Sequence, residues 1–186
     1  MEVAKPTGNH YTYADYCTWP EDERREIIEG VPYAHATPSR IHQTVSKKIF
    51  RQLDVFLDGK PCEVFYAPFS VRLNADSGDN TVVEPDLFVV CDESKLKDGK
   101  SVAGPPDFLI EILSPATSKR DKVEKLRIYR ETGVREYWIV DPSDRTVLAC
   151  VFEPDSKSVK AYDDEDAAPV HVLDGCVIDL AAVFVE

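Results

Sequence analysis

The sequence predicts an α/β domain: a mixed central sheet flanked by helices, with extra strands toward the C-terminus. Three observations carry that reading. Apolar strand-like runs and two amphipathic stretches follow one another as helix, strand, strand, strand, helix, strand. The run 107–113 is apolar on both alternating faces, with Phe108, Ile110 and Ile112 on one and Leu109, Glu111 and Leu113 on the other, as suits a central strand covered on both sides. A helix then separates this strand from the next, at 135–140, so the two strands should run parallel through a crossover. At 186 residues, one domain spanning 1–186 with a sizeable core is expected.

In order, residues 11–19 are aromatic-rich and read as one or two helical turns ended by Pro20. Residues 26–33 read as a strand with Ile27, Glu29 and Val31 on one face, which puts the acidic Glu29 inside an apolar pattern; Gly30 and Pro32 make it irregular. Ser39 opens a helix in which Ile41, Val45, Ile49 and Leu53 recur every fourth residue, with Phe56 and Leu57 completing the stripe and Gly59 ending it. His42, next to that stripe, reads first as a surface or packing residue and second as a catalytic one. Residues 62–73 alternate as a strand interrupted by Pro68, and the Asp-, Gly- and Asn-rich loop 74–80 joins it to the next strand as a hairpin. In that strand Val82, Glu84, Asp86, Phe88 and Val90 share a face, and Pro85 implies a bulge or a sheet edge.

Residues 91–106 read as a polar loop. Beyond the 107–113 strand, Pro115 and the candidate N-caps Thr117 and Ser118 open the second helix, with capping-box spacing from Ser118 to Asp121 and a stop at Gly133. Val123, Leu126, Tyr129 and Arg130 fall roughly on one side of it. Asp121, Lys125 and Tyr129, four apart, form one row, from which a cation could lie over a carboxylate of the preceding strand. After the 135–140 strand, short strands are expected at 146–152, 158–162 and 170–173, and residues 176–184 end as a strand or a short helix.

Acidic residues outnumber basic ones 34 to 22, for a net charge of −12. Nucleic-acid binders usually carry a basic footprint. Here it would have to be local: Lys119, Arg120, Lys122, Lys125, Arg127 and Arg130 on one helix, or Arg40, Lys47, Lys48 and Arg51 on the other. Such clusters are also what a solvated helix face looks like. The five cysteines are scattered without a C-x-x-C pair, so neither a zinc site nor a disulfide framework is indicated, and reduced thiols in a cytoplasmic protein are expected. Nothing in the sequence resembles a signal peptide or a membrane-length apolar run, and no G-x-G-x-x-G or P-loop motif occurs.

Buried carboxylates are kept only when neutralised, paired or bound to metal. Glu111 among leucines, and Asp86 on an adjacent strand, therefore need an explanation. The structural explanation is a bulge cap at Asp86, an ion pair from Glu111 to Lys125 or Arg127, a helix cap at Asp121 and a core aromatic at Tyr129. The functional explanation is a metal site.

EPD at 84–86, EILSP at 111–115, D-x-x-x-K-x-x-x-Y at 121–129 and GVREYWIVDP at 133–142, with EIIEGVPY, the His42 region and CEVFYAPFSVRL upstream, resemble the Uma-two family of restriction-endonuclease-like proteins. That family is assigned to the PD-(D/E)xK nuclease superfamily, and the likeness covers roughly residues 25–151. The resemblance implies a restriction-endonuclease-like αβββαβ core and Mg²⁺-dependent hydrolysis of DNA phosphodiesters, with Mn²⁺ as an alternative ion. Asp86, Glu111 and the backbone carbonyl of Ile112 would be the metal ligands, a donor set suited to a hard cation. Glu29 would be the additional acid, ligating through water or orienting a ligand. The superfamily's lysine, two residues after the glutamate, is Leu113 here; the Uma-two pattern moves it to the next helix, where Lys125 matches and Lys122 and Lys119 are alternatives. Such a lysine orients the attacking water or stabilises the phosphate. Asp86 and Glu111 are expected to converge on one pocket with Glu29 at its rim, and a homodimer is expected of a restriction-type enzyme. Two rivals stand beside this reading: a catalytically inactive nuclease fold used for binding or assembly, and a metal-dependent phosphoesterase for a small substrate.

Overall fold

The computed structural model describes residues 10–20, 23–115, 118–154 and 156–185. A single helical turn, α1 (Tyr13–Tyr16), lies in the aromatic stretch near the start. β1 (Arg25–Ile28) and β2 (Val31–Ala34) then form an antiparallel hairpin rather than the continuous strand expected over 26–33. The break falls at Glu29 and Gly30, both with positive φ (49° and 82°). Glycine takes that conformation without steric cost, and a Cβ at Gly30 would lie 2.3 Å from the His10 ring. Glu29 is therefore a turn residue, not a member of a strand face.

α2 (Arg40–Leu57) starts as its sequence dictates: the Ser39 hydroxyl accepts the His42 N–H, and Val45, Ile49, Leu53 and Leu57 are buried. Ile41, in the first turn, is 55% exposed and does not join the stripe. The expected 62–73 strand divides at Pro68 into β3 (Glu63–Tyr66) and β4 (Ser70–Arg72), and the expected 82–90 strand divides at Pro85 into β5 (Val82–Val83) and β6 (Leu87–Val90). Proline lacks the ladder donor, so each run changes sheets there. β4 and β5 pair across the 74–80 loop as the expected hairpin. The loop expected over 91–106 holds a 3₁₀ turn at Glu93–Leu96 and a short strand, β7 (Ser101–Ala103).

β8 (Phe108–Ile112) leads to a π-helical stretch, Arg120–Lys125, which continues as α3 (Leu126–Thr132) and stops at Gly133 with φ 97°. The wider π turn rotates Val123 out of the expected stripe, leaving it 64% exposed. Thr117, one candidate cap, lies outside the described residues; Ser118 is already inside the helix. The chain ends with β9 (Glu136–Asp141), β10 (Thr146–Glu153), β11 (Ser156–Tyr162), β12 (Ala167–Pro169), β13 (Val177–Asp179) and α4 (Leu180–Phe184). Residues 170–173 form no strand, and 176–184 supply a strand and a helix in succession.

The main sheet has the order β11-β10-β9-β8-β6-β3, and the second the order β2-β1-β5-β4-β7. β8 and β9 are parallel, as the intervening helix requires, while β8 and β6 are antiparallel, so the sheet is mixed. Along α2, β3, β6, β8, α3 and β9 the main sheet reads αβββαβ. The alternation in β8 is realised: Phe108, Ile110 and Ile112 pack with Val45, Ile49 and Leu53 of α2, while Leu109 and Leu113 pack with Ile128, Tyr129 and Tyr137 on the other side. Full burial of a side chain such as Phe108 contributes about 1.5–3 kcal/mol, so β8 is anchored from both faces and any carboxylate on it is held rigidly.

One expectation is overturned outright. Cys62 and Cys91 sit one step beyond the Glu63–Val90 pair of the β3–β6 ladder and are joined by a disulfide. Their sequence separation of 29 hid a pairing that strand register creates. Cys17, Cys150 and Cys176 are free thiols. Among the described residues no helix is long and apolar enough to cross a membrane.

Candidate active site

β1, the residue preceding β6, the C-terminal end of β8 and the π-helical stretch surround one cavity of about 90 Å³. Five carboxylates line it: Glu26, Glu84, Asp86, Glu111 and Asp121. Arg24, Arg120, Lys125, His35 and His42 supply the opposing charge and hydrogen-bonding groups.

Glu111 faces into this cavity from the middle of the core, 5% exposed. Its Oε1 accepts from Lys125 Nζ at 2.7 Å and from the Tyr129 hydroxyl at 2.7 Å. Asp121, Lys125 and Tyr129 thus do share a buried side of their helix, and the cation lies against the carboxylate of the preceding strand. Lys125 Nζ also donates to Glu26 Oε1 at 2.8 Å and stands 3.8 Å from Asp121 Oδ1. Glu26 Oε1 in turn accepts the Glu84 N–H at 3.1 Å, which fixes the hairpin to the residue before Pro85.

Asp86 extends the β6–β8 ladder with its side chain. Its Oδ2 accepts the Ile112 N–H at 2.7 Å and lies 3.1 Å from His42 Nε2. The N–H and C=O of a strand residue point to the same edge, so the Ile112 carbonyl is directed toward the Asp86 side of β8. Glu84 is held as an anchor: its Oε1 accepts from the Tyr16 hydroxyl at 2.7 Å, and its Oε2 from Arg24 Nη2 at 2.6 Å and Nε at 3.1 Å.

Burial alone would lower the Lys125 pKa, but Glu111, Glu26 and Asp121 outweigh it and hold the ammonium above its ordinary range. Burial pushes the Glu111 carboxyl well above the usual carboxylate value; Lys125 opposes this, while Asp121, Asp86 and Glu26 add to it. For Glu26 burial acts in the same direction, yet Lys125 and His35 prevail and its carboxyl sits low. His42 is raised: burial disfavours its charge, and the hydrogen bond to Asp86 more than compensates. The Tyr129 hydroxyl is raised well above its ordinary value by burial and then by Glu111.

The donors suit a hard cation: they are oxygens, they exceed the local positive charge at Glu111, and Glu111 Oε2 carries no hydrogen bond among the described residues. Among the described residues no three acidic, histidine or cysteine side chains are already gathered as a cage. A cation here would be held by two carboxylates and a carbonyl, with water completing its shell.

Of the residues singled out from sequence, Asp86, Glu111, Ile112 and Lys125 come together in this cavity. Glu29 does not: it is on the hairpin turn with its side chain 58% exposed, and its carboxylate accepts from Arg127 Nη2 at 2.7 Å. The acid that the hairpin delivers is Glu26. Lys122 is half exposed and 3.6 Å from Asp141, and Lys119 lines a separate surface cleft beside Tyr33. His42, expected at the surface or in packing, is 8% exposed and bound to Asp86. A signal for it existed, since His42, Val45 and Ile49 have i, i+3, i+7 spacing and so share the buried stripe. Glu26 could have been found from the Glu29-Gly30 turn, which leaves it as the acid of a four-residue strand.

The model of the family described as "Uma2: Putative restriction endonuclease" matches residues 13–181. The chain is 28% identical over 128 residues to "Uncharacterized protein slr1290" of Synechocystis sp. (strain PCC 6803), an alignment covering 68% of this chain and 65% of that protein. It is also similar in structure to the crystal structure of "a putative nuclease belonging to DUF820" from Anabaena variabilis, with a TM-score of 0.75 and 18% identity over 94% of this chain and 97% of that one. The main sheet with its helices is therefore a restriction-endonuclease-like fold.

Proposed function

The chain belongs to the Uma2 restriction-endonuclease-like family, and from that premise we propose that it is a metal-dependent endonuclease hydrolysing DNA phosphodiester bonds. The observation that carries the proposal is the convergence of Asp86, Glu111 and Lys125 from three separate elements on one acidic cavity. Asp86, Glu111 and the Ile112 carbonyl would hold Mg²⁺, or Mn²⁺ in its place. Such an ion, when bound, supplies Lewis acidity at the phosphate and an activated water.

The chain's own residues do the rest. His42 and the Ile112 N–H fix the Asp86 carboxylate at the end of the β6–β8 ladder. Tyr129 fixes Glu111 by one oxygen, Oε1, and the residue lines the cavity. Lys125 is a fixed cation beside the Glu111 and Glu26 carboxylates, placed to stabilise negative charge developing on the phosphate rather than to take up a proton. Glu26 shares that lysine and positions it. Cleavage of both strands of a duplex would use two such sites, so a homodimer is part of the proposal.

Plasmid nicking with Mg²⁺ or Mn²⁺ tests this. The wild type should convert supercoiled DNA to open circles, and Glu111→Gln or Asp86→Asn should lower the rate by about a hundred- to a thousandfold, the scale on which electrostatic catalytic groups act. A parallel panel of small phosphoesters tests the small-substrate alternative. One observation favours a non-catalytic, binding role: Lys125 already bridges two carboxylates. Wild-type protein that binds DNA but leaves both the plasmid and a single-stranded oligonucleotide intact with both ions would decide for that role.

A further inference from the structure

The acidic cavity does not end at Asp86. A second cleft of about 250 Å³ opens on the other side of this residue, between α2 and the end of β3, and Gln43, Ala67 and Asp86 line both. The new cleft differs in chemistry from the first. Among the described residues Asp86 is its only carboxylate; its other polar side chains are Gln43, Ser46, Lys47 and the Tyr66 hydroxyl.

Tyr66 is the last residue of β3, the edge strand of the main sheet, and is 60% exposed. The Phe50 ring, packed against the core, meets it edge-on, with centroids 5.1 Å apart and an interplanar angle of 86°. Tyr66 is thus held from one side and open to solvent elsewhere. On α2, Gln43, Lys47 and Phe50 are spaced i, i+4, i+7, so one helix face supplies a hydrogen-bonding amide, a cation and the aromatic support in a row. Lys47 makes no ion pair among the described residues, whereas Lys125 and Arg24 in the neighbouring cavity are each bound by carboxylates. An exposed aromatic beside an uncommitted cation is the pairing used to hold single-stranded nucleic acid, the ring stacking a base and the cation meeting the backbone.

We propose that this cleft is a subsite for an unpaired nucleotide, whose base stacks on Tyr66 and whose phosphate meets Lys47, next to the bond presented at Asp86. The proposal rests on the nuclease reading and adds to it the substrate class: single-stranded DNA or a duplex carrying a displaced nucleotide. A base inside an intact duplex has no free face to offer a side chain.

The test uses the full chain and a fluorescent 12-nucleotide single-stranded DNA, with binding followed by anisotropy in EDTA and cleavage followed separately with Mg²⁺. Tyr66→Ala should weaken binding by about five- to a hundredfold, the range that loss of one base–aromatic stack produces. Tyr66→Phe should bind like the wild type, and Lys47→Gln should flatten the salt dependence by about 0.7 in the slope of log affinity against log salt. Equal binding by wild type and Tyr66→Ala overturns the subsite, as does Tyr66→Phe weakening binding as much as Tyr66→Ala, or no binding of the probe by the wild type. So does a homodimer that Tyr66→Ala dissociates, which would make a second copy of the chain the occupant. The two readings fail separately. Cleavage of the single-stranded probe with Mg²⁺, with both its rate and the probe's affinity unchanged in Tyr66→Ala, removes the subsite and keeps the nuclease. Probe binding lost in Tyr66→Ala, with a wild type inert toward DNA, keeps the subsite and removes the nuclease.

Discussion

Lys125→Met is the substitution from which most can be learned. Lys125 is 4% exposed and lies between Glu26 and Glu111, themselves 2% and 5% exposed, with hydrogen bonds of 2.8 and 2.7 Å. Methionine keeps the apolar stem and removes the charge. Two carboxylates that shared one cation would then face each other, with Asp121 close by. Breaking a buried ion pair by deleting one partner costs about 3–5 kcal/mol. For a protein of this size each kcal/mol shifts Tm by about 2–4 °C, so the variant should melt roughly 6–20 °C below the wild type at neutral pH. Loss of cleavage in this variant alone would therefore not separate chemistry from folding. The triple variant Lys125→Met, Glu26→Gln, Glu111→Gln removes the stranded charges along with the cation. It should regain much of the lost stability, because replacing a whole buried ion cluster by neutral groups is often close to neutral, and it should remain inactive. Thermal melts followed by circular dichroism give the first quantity and plasmid nicking below the melting range the second. A single variant that melts within about 2 °C of the wild type would refute the account of Lys125 as the cation that holds this cluster together.

Two further expectations follow from the geometry. Mg²⁺ or Mn²⁺ at a hundredfold excess over its Kd should stabilise the wild type by about 2.7 kcal/mol, and an Asp86→Ala, Glu111→Ala double variant should lose that increment; an equal shift in both would place the ion elsewhere. Glu136, 1% exposed, accepts from the Trp138 indole at 2.7 Å and the Val172 N–H at 2.9 Å, yet burial holds its carboxyl above the usual range despite these donors. A carboxyl raised in the folded state contributes stability that is fully present below its unfolded value, about 4.3, and lost as pH rises through the folded value. Glu136→Gln has no such proton and can accept only one of the two bonds, so it should be about 1–3 kcal/mol less stable at low pH. That deficit should shrink as pH rises from about 4; a difference in Tm constant with pH would contradict it.

The parts of this molecule that were legible in the sequence are those where one element decides the outcome. The alternation of 107–113 gave a strand buried on both faces because period-two burial depends on nothing beyond the strand itself. The spacing of Asp121, Lys125 and Tyr129 anticipated the contact with Glu111 because helix geometry alone sets it, even though the segment is wound partly as a π-helix. What was hidden depends on where a run stops. In the sequence Pro68 and Pro85 look like irregularities within strands, whereas each sends the chain from one sheet to another. Glu29 falls on a strand face only while Gly30 looks like a flaw in one long strand; the strand ends at Ile28, which makes Glu26 the buried acid instead. His42 and the Cys62–Cys91 bond required knowing which elements face each other across the fold, which no local pattern states.

The disulfide has a topological consequence for the candidate site. It closes residues 62–91 into a covalent ring that contains β4, β5 and both acids of the EPD segment, Glu84 and Asp86. The exposed tip of that ring is the 74–80 loop, where a protease would find its easiest substrate. A chain cut there would stay one covalent molecule, its two fragments still tied at the edge of the main sheet, until the bond was reduced.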